Sequence, residues 1–199
     1  MNKTRLLVPA VLAVLALGFS PQAPPRDTLR AVPTAFNPGN APVRITAAWQ
    51  PDESGDAPSK HPLMLQISET APYPPGASAL AVVTPAEGLN VRQLAFDHRL
   101  GTHCTNGSPR WDVETMDGSV YAFGCASGVH QVELPAPAWE RISFSCADVQ
   151  VLNGLSGSCP LSSGQSVSLL QIVHDEGGRT MLDNLDVNWI VMSGSVADR

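Results

Sequence analysis

Apolar positions along the chain come in short bursts, separated by clusters of Pro, Gly, Asp, Asn and Ser. Bursts of that length, bounded by turn residues, predict strands rather than helices. The segments are 43–49, 63–67, 79–83, 91–98, 110–115, 120–123, 130–134, 142–144, 167–173 and 181–191. Within 110–115 the pattern alternates, with Trp111 and Val113 on one face and Arg110, Asp112 and Glu114 on the other. Within 91–98, Arg92, Leu94, Phe96 and His98 share one face and Val91, Gln93, Ala95 and Asp97 the other. Segment 167–173 is apolar on both faces, which predicts a central strand, and Asp117-Gly118 marks a two-residue hairpin. About ten short strands without a helical period predict an all-β fold, an antiparallel β-sandwich that is jelly-roll-like.

The N-terminus breaks this pattern. Lys3 and Arg5 precede an apolar run from Leu6 to Phe19, a positively charged start followed by a stretch short for a comfortable membrane span. Residues 1–18 are expected to be a signal peptide, or an uncleaved anchor helix, that contacts the membrane during export. The proline-rich stretch 19–42 is expected to be a linker, and 43–199 the sandwich domain. Four cysteines, Cys104, Cys125, Cys146 and Cys159, make an even count in an exported chain and predict two disulfides. Three pairings are open, with the sequential one, Cys104 to Cys125 and Cys146 to Cys159, favoured because each pair links strand ends or loops. A secreted or cell-surface location follows from the two observations together.

Composition narrows the partners. The chain has 199 residues and a formal net charge of −6, with lysine only at positions 3 and 60. An acidic surface repels phosphate backbones, so nucleic acid is not an expected partner. A hydrophobic fraction of 43% against 15% charged residues excludes wholesale disorder.

Three segments carry a resemblance. They are Leu94-Ala-Phe-Asp followed by Cys104-Thr-Asn-Gly-Ser-Pro-Arg-Trp, then Asp117-Gly118 leading to Gly124-Cys125, then Ile172-Val-His-Asp-Glu-Gly-Gly leading to Leu182-Asp-Asn-Leu-Asp-Val. Spread over residues 89–192, they resemble secreted, largely uncharacterised bacterial jelly-roll domains, and the closing segment is similar to the last strand of carbohydrate-binding modules. The resemblance implies a jelly roll that binds a glycan without catalysis, supports the Cys104–Cys125 pair, and implies a structural calcium with Asp183 as the matching acid.

The residues themselves offer limited chemistry. Asp175, Glu176, Asp183 and Asp186 are the densest acidic group, and Asp175, Glu176 and Asp183 are the candidate calcium ligands, since hard cations take carboxylate oxygens from flexible loops. Paired carboxylates also suit a glycoside hydrolase, but here they cluster at turns, and no G-x-S-x-G elbow exists. The expected ligand-binding residues are Trp139 and Trp49, with Tyr73 in a Tyr-Pro-Pro-Gly loop, as an aromatic platform, and Arg110 for planar hydrogen bonding. The competing position for Trp139 is beneath a neighbouring loop. By strand parity Trp111 and Trp189 are expected in the core. The leading function is an exported, non-catalytic ligand-binding module, possible partners being a glycan or, on an alternative reading, a cell-envelope protein; a hydrolase comes third.

Overall fold

The computed structural model describes residues 29–40, 42–52, 55–68, 74–132, 138–153 and 158–194. The expected signal or anchor at 1–18 and the candidate Tyr73 lie outside the described residues. The strands are β1 (Arg30–Phe36), β2 (Ile45–Trp49), β3 (Leu63–Ile67), β4 (Ser78–Thr84), β5 (Leu94–Arg99), β6 (Arg110–Thr115) and β7 (Val120–Gly124). They continue with β8 (Val129–Val132), β9 (Trp139–Phe144), β10 (Val149–Val151), β11 (Val167–His174), β12 (Gly178–Val187) and β13 (Ile190–Met192). One helical turn, α1 (Pro160–Ser163), precedes β11.

Two antiparallel sheets result, β1-β4-β11-β6-β7-β10 and β2-β3-β12-β5-β9-β8, with β13 paired to β12. Consecutive strands β3 to β6 alternate between the sheets. The β11–β12 ribbon then returns between the earlier pairs, giving β4-β11-β6-β7 in one sheet and β3-β12-β5-β9 in the other. That insertion of a late ribbon between two earlier ones is a jelly roll.

Alternation decides which side chains meet between the sheets. Leu63, Leu65, Leu94, Phe96, Leu182, Leu185 and Val187 face Trp111, Val113, Tyr121, Phe123, Leu170 and Ile172, all buried in one core. Phe144 touches Phe96 of its own sheet and Phe123 of the opposite one, with ring centroids 5.3 and 6.2 Å apart. Both disulfides take the sequential pairing, Cys104–Cys125 and Cys146–Cys159.

Two boundaries differ from the sequence expectation. The domain does not start at residue 43, because Arg30–Phe36, within the expected linker, pairs with β4 along its whole length. Pro33 is tolerated there because an edge strand leaves one side free of ladder bonds. The expected single segment 181–191 is two strands joined by a turn at Asn188-Trp189. A register shift between Asp183 and Asp186, with Asn184 at φ 41°, resets the parity along β12. Trp189 lies in the Asn188-Trp189 turn rather than on a strand, so it leaves the core and is 72% exposed.

Candidate binding site

The start of β6, the end of β11 and the start of β12 converge at one end of the sandwich, and the connection between β5 and β6 folds over them. Thr105 organises that connection: its Oγ1 accepts from Gly107 N at 3.1 Å and Ser108 N at 3.0 Å. The same hydroxyl donates to Glu176 Oε2 at 3.0 Å, and His103 Nε2 lies 2.7 Å from that oxygen. A Cβ at Gly107 would sit 2.7 Å from Glu176 Oε1, so a larger residue there would push the Glu176 carboxylate aside. The Gly124 position is tighter still, with a Cβ falling 1.8 Å from the Asn106 carbonyl oxygen.

Arg110 lies beside this frame. Its Nη1 donates to both Asp175 oxygens and to the Gly107 carbonyl, each at 2.8 Å, and its Nε donates to Asp112 Oδ1 at 2.8 Å. Burial pushes the Asp112 carboxyl above the ordinary range even with Arg110 pulling it down and Asp175 adding to the rise. Burial works against the charge of Arg110, but Asp112 and Asp175 outweigh it and raise the guanidinium pKa. The planar group is thus fixed and permanently charged. It borders an open concavity of about 450 Å³ lined by Gly107, Arg110, Gln150, Leu152, Asp175 and Glu176. Across the Glu176–Gly178 turn a second concavity of about 410 Å³ is lined by Thr102, His103 and Arg179, with glycines between.

The structure thus unites three residues singled out by sequence, Arg110, Asp175 and Glu176, and separates Asp183 from them. Asp183 lies five residues along β12 from Gly178, roughly 16 Å of extended chain. Its carboxylate accepts from Ser59 N at 2.6 Å, Ser59 Oγ at 2.7 Å and Asn184 N at 2.8 Å. It clamps the 55–61 segment, through Ser59, onto the outer face of its sheet. Asp175 and Glu176 are already committed to Arg110, His103 and Thr105. These residues do not fit a calcium ion, because their oxygens neither converge nor remain free of protein donors. Among the described residues, one set of three possible metal ligands lies close together, His98 with Cys104 and Cys125. Both of those sulfurs are spent in the disulfide.

Neither tryptophan of the expected aromatic platform is at the surface. Trp139 is fully buried, packed on Met64 and Met181 beneath residues 55–61, its Nε1 donating to Asp56 Oδ1 at 3.3 Å. It does point away from the main core, as its parity implies, but the loop covers it. Trp49 is 8% exposed and its Nε1 donates to the Ala31 carbonyl at 3.1 Å, tying β2 to β1. Its edge still lines a groove of about 600 Å³ between residues 29–33, 47–49 and 191–193.

Two polar networks escaped the sequence reading. Arg141 reaches from β9 to Asp97 of β5 at 2.9 Å and Asp186 of β12 at 2.5 Å, and Asn184 Nδ2 donates to Asp97 at 2.6 Å. Glu140 bridges His98 and His130, both at 3.0 Å. The buried Arg–Asp face is the only part with a local cue, the polar positions Asp97 and Asp186 within apolar strands.

Ser108 Oγ and His174 Nδ1 lie 2.6 Å apart, the spacing of a nucleophile and its base. Both are fully buried, and His174 Nε2 meets the Gly178 carbonyl at 3.2 Å rather than a carboxylate. Burial lowers the His174 pKa to about 4. A substrate has no path to this serine, so the pair acts as a structural link.

No family model matches the chain, and no curated protein matches its sequence. Among solved structures it is similar to the family 11 carbohydrate-binding module of a cellulosomal cellulase of Clostridium thermocellum. That match has a TM-score of 0.46 at 9% identity and covers 83% of this chain and 88% of that one. The same module in complex with a β-1,3-1,4-mixed-linked tetrasaccharide gives a TM-score of 0.45 at 8% identity, covering 80% and 94%. A β-1,2-glucanase from Parabacteroides distasonis gives 0.42 at 14% identity, covering 80% of this chain and 22% of that enzyme. These are likenesses of general architecture, and no residue role is carried across.

Proposed function

We propose that the chain is an exported, non-catalytic ligand-binding module and that its ligand is a glycan held at the Arg110 end of the jelly roll. The observation that carries this reading is the Arg110 clamp, a guanidinium fixed between Asp112 and Asp175 at the edge of an open concavity. Prepaid orientation is what a hydroxyl-rich ligand needs, because each sugar hydroxyl must regain in the site the hydrogen bonds it gives up in water. Glu176, Gln150 and the half-exposed Leu152 supply further polar partners and one apolar wall. Two disulfides suit an oxidising, extracytoplasmic compartment. The test is binding of the oxidised chain to a broad glycan panel, with and without calcium. Arg110→Ala is expected to abolish a hit while circular dichroism stays native, and binding indifferent to Arg110→Ala overturns the site.

A second reading has its own observation. β1 and β2 end their sheets on the same side, so each keeps one edge without a ladder partner among the described residues. The groove between them is bordered by Val32 and Val191, 45% and 53% exposed. A cell-envelope protein adding an extended segment there would use backbone pairing. Retention of glycan binding by chains with a blocked β1 edge separates the two.

A further inference from the structure

Three of the four tryptophans are buried and the fourth, Trp189, is 72% exposed. It sits in a two-residue hairpin loop between β12 and β13, Val187 pairing with Ile190. Both loop residues have left-handed backbone, Asn188 at φ 55° and Trp189 at φ 65°. That is the pattern of a type I′ turn, for which Asn-Gly is the favoured pair. Asparagine is well chosen. A tryptophan at the second position is not, because a bulky side chain on left-handed backbone is sterically strained where glycine would be free.

The strain is held in place by unusually complete anchoring of the neighbouring residue. Asn188 Oδ1 accepts from Arg92 N at 2.7 Å and Gln93 N at 3.2 Å. Its Nδ2 donates to the Asn90 carbonyl at 2.8 Å and its backbone N to the Gln93 carbonyl at 3.1 Å. The turn is bolted to the 90–93 segment, and its one unburied aromatic ring is offered to solvent from a rigid base. Strained backbone that its surroundings over-determine is where binding function is to be sought.

We propose that Trp189 is the stacking residue of a second carbohydrate subsite, taking the C–H face of a pyranose ring at the end of the sandwich opposite Arg110. The inference rests on the glycan reading above but on different residues. β12 separates the two places by ten residues, roughly 30 Å. Exposed Asn90 and Arg92 adjoin the turn and provide an amide and a guanidinium for ring hydroxyls. A tryptophan side chain presents on the order of 200 Å², enough for one sugar ring and far short of the roughly 800 Å² that each partner buries in a standard protein interface. A lipid surface is disfavoured by the polar neighbours and by the net charge of −6, which repels anionic headgroups.

The distribution of tryptophans makes the test direct, since acrylamide reaches Trp189 and spares the buried three. The oxidised chain would be titrated with soluble hexaoses of glucose, mannose, xylose and N-acetylglucosamine, and separately with zwitterionic and anionic phospholipid vesicles. A hexaose that binds is expected to shield the quenchable fluorescence and shift it to the blue. Trp189→Gly is expected to weaken that binding by roughly tenfold or more while raising Tm by roughly 2 to 4 °C, because it restores the favoured turn sequence. Trp189→Phe should keep part of the affinity. Shielding by vesicles instead of sugars overturns the inference, as does a Trp189→Gly variant that binds as tightly as the parent. The latter result leaves the Arg110 site standing, whereas a parent chain that binds no hexaose removes both.

Discussion

Ser108 and His174 meet at 2.6 Å inside the end of the sandwich, and that contact sets a pH dependence. Neutral His174 accepts from the serine at Nδ1 and donates from Nε2 to the Gly178 carbonyl, so a second ring proton would force the Ser108 hydroxyl to turn its own proton away. Burial lowers its pKa to about 4, with His103 adding to the effect and the Gly178 carbonyl, Asp175 and Glu176 opposing it. In the unfolded chain the same histidine titrates near 6.5. As pH falls below that value the unfolded state gains a proton that the folded state refuses. Stability therefore drops by about 1.4 kcal/mol per pH unit down to about pH 4, about 3 kcal/mol in all. His98, lowered by burial despite Glu140, adds in the same direction. Urea midpoints measured between pH 7 and pH 4 should fall steadily, and His174→Gln, whose amide can make both hydrogen bonds, should flatten the slope. An unchanged slope would clear His174 as its origin. Arg110 yields a second expectation at this scale. Removing the guanidinium by Arg110→Ala leaves Asp112, only 13% exposed, without its counter-charge and should cost about 2–3 kcal/mol in denaturant unfolding. The pair Arg110→Met with Asp112→Leu should recover part of that loss, because the stranded charge goes with its partner.

At the level of elements, β1 is where sequence and structure diverge with consequence. Its seven residues pair with β4, Ala31 and the preceding Leu29 are buried, and the Ala31 carbonyl accepts from the Trp49 indole. A chain beginning at residue 43 would lose that burial and orphan the indole N–H. It should unfold about 3 kcal/mol, or roughly 10 °C, below one beginning at residue 29, as calorimetry would show. Equal midpoints would mean that β1 is ornamental. The strand was illegible because Pro33 and its proline-rich surroundings mask the alternation of Ala31 with outward Val32. Segment 110–115 was legible to the residue because a half-buried strand repeats with period two, and 63–67 because turn residues bound a short apolar run. β12 defeated the same rule: the bulge between Asp183 and Asp186 shifts the period, and a turn spelled Asn-Trp carries no glycine to announce it. The candidate site was half legible. Arg110, Asp175 and Glu176 could be picked out one by one as polar residues at strand ends, but only the inserted β11–β12 ribbon brings them together. Trp139 misled because parity reports which side of a sheet a residue faces and not whether a distant loop covers that side, and Trp49, at a strand end, is covered by the unforeseen β1.

The two disulfides separate what stabilises the whole molecule from what shapes its site. They enclose similar lengths of chain, with separations of 21 and 13 residues. Acting only by restricting the unfolded state, each would contribute about 3 kcal/mol, and the difference in loop length would change that by well under 1 kcal/mol. Their folded environments differ more. Cys125 is fully buried and Cys104 packs on the core, and the bridge fastens the β5–β6 connection that carries His103, Thr105 and Gly107 to the end of β7. Cys146–Cys159 joins the connection after β9 to the start of α1, and neither of its cysteines lines the Arg110 concavity. Replacing Cys104 and Cys125 by alanine therefore opens a void in the core as well as lengthening the free chain, and should cost about 1–2 kcal/mol more than replacing Cys146 and Cys159. It should also loosen Glu176 and Arg110, so that glycan affinity falls even at temperatures where the variant is fully folded. The Cys146/Cys159 variant should lose Tm alone. Calorimetry and titration on the two variants distinguish these outcomes, and equal losses with affinity intact in both would place the whole contribution of the disulfides in the unfolded chain.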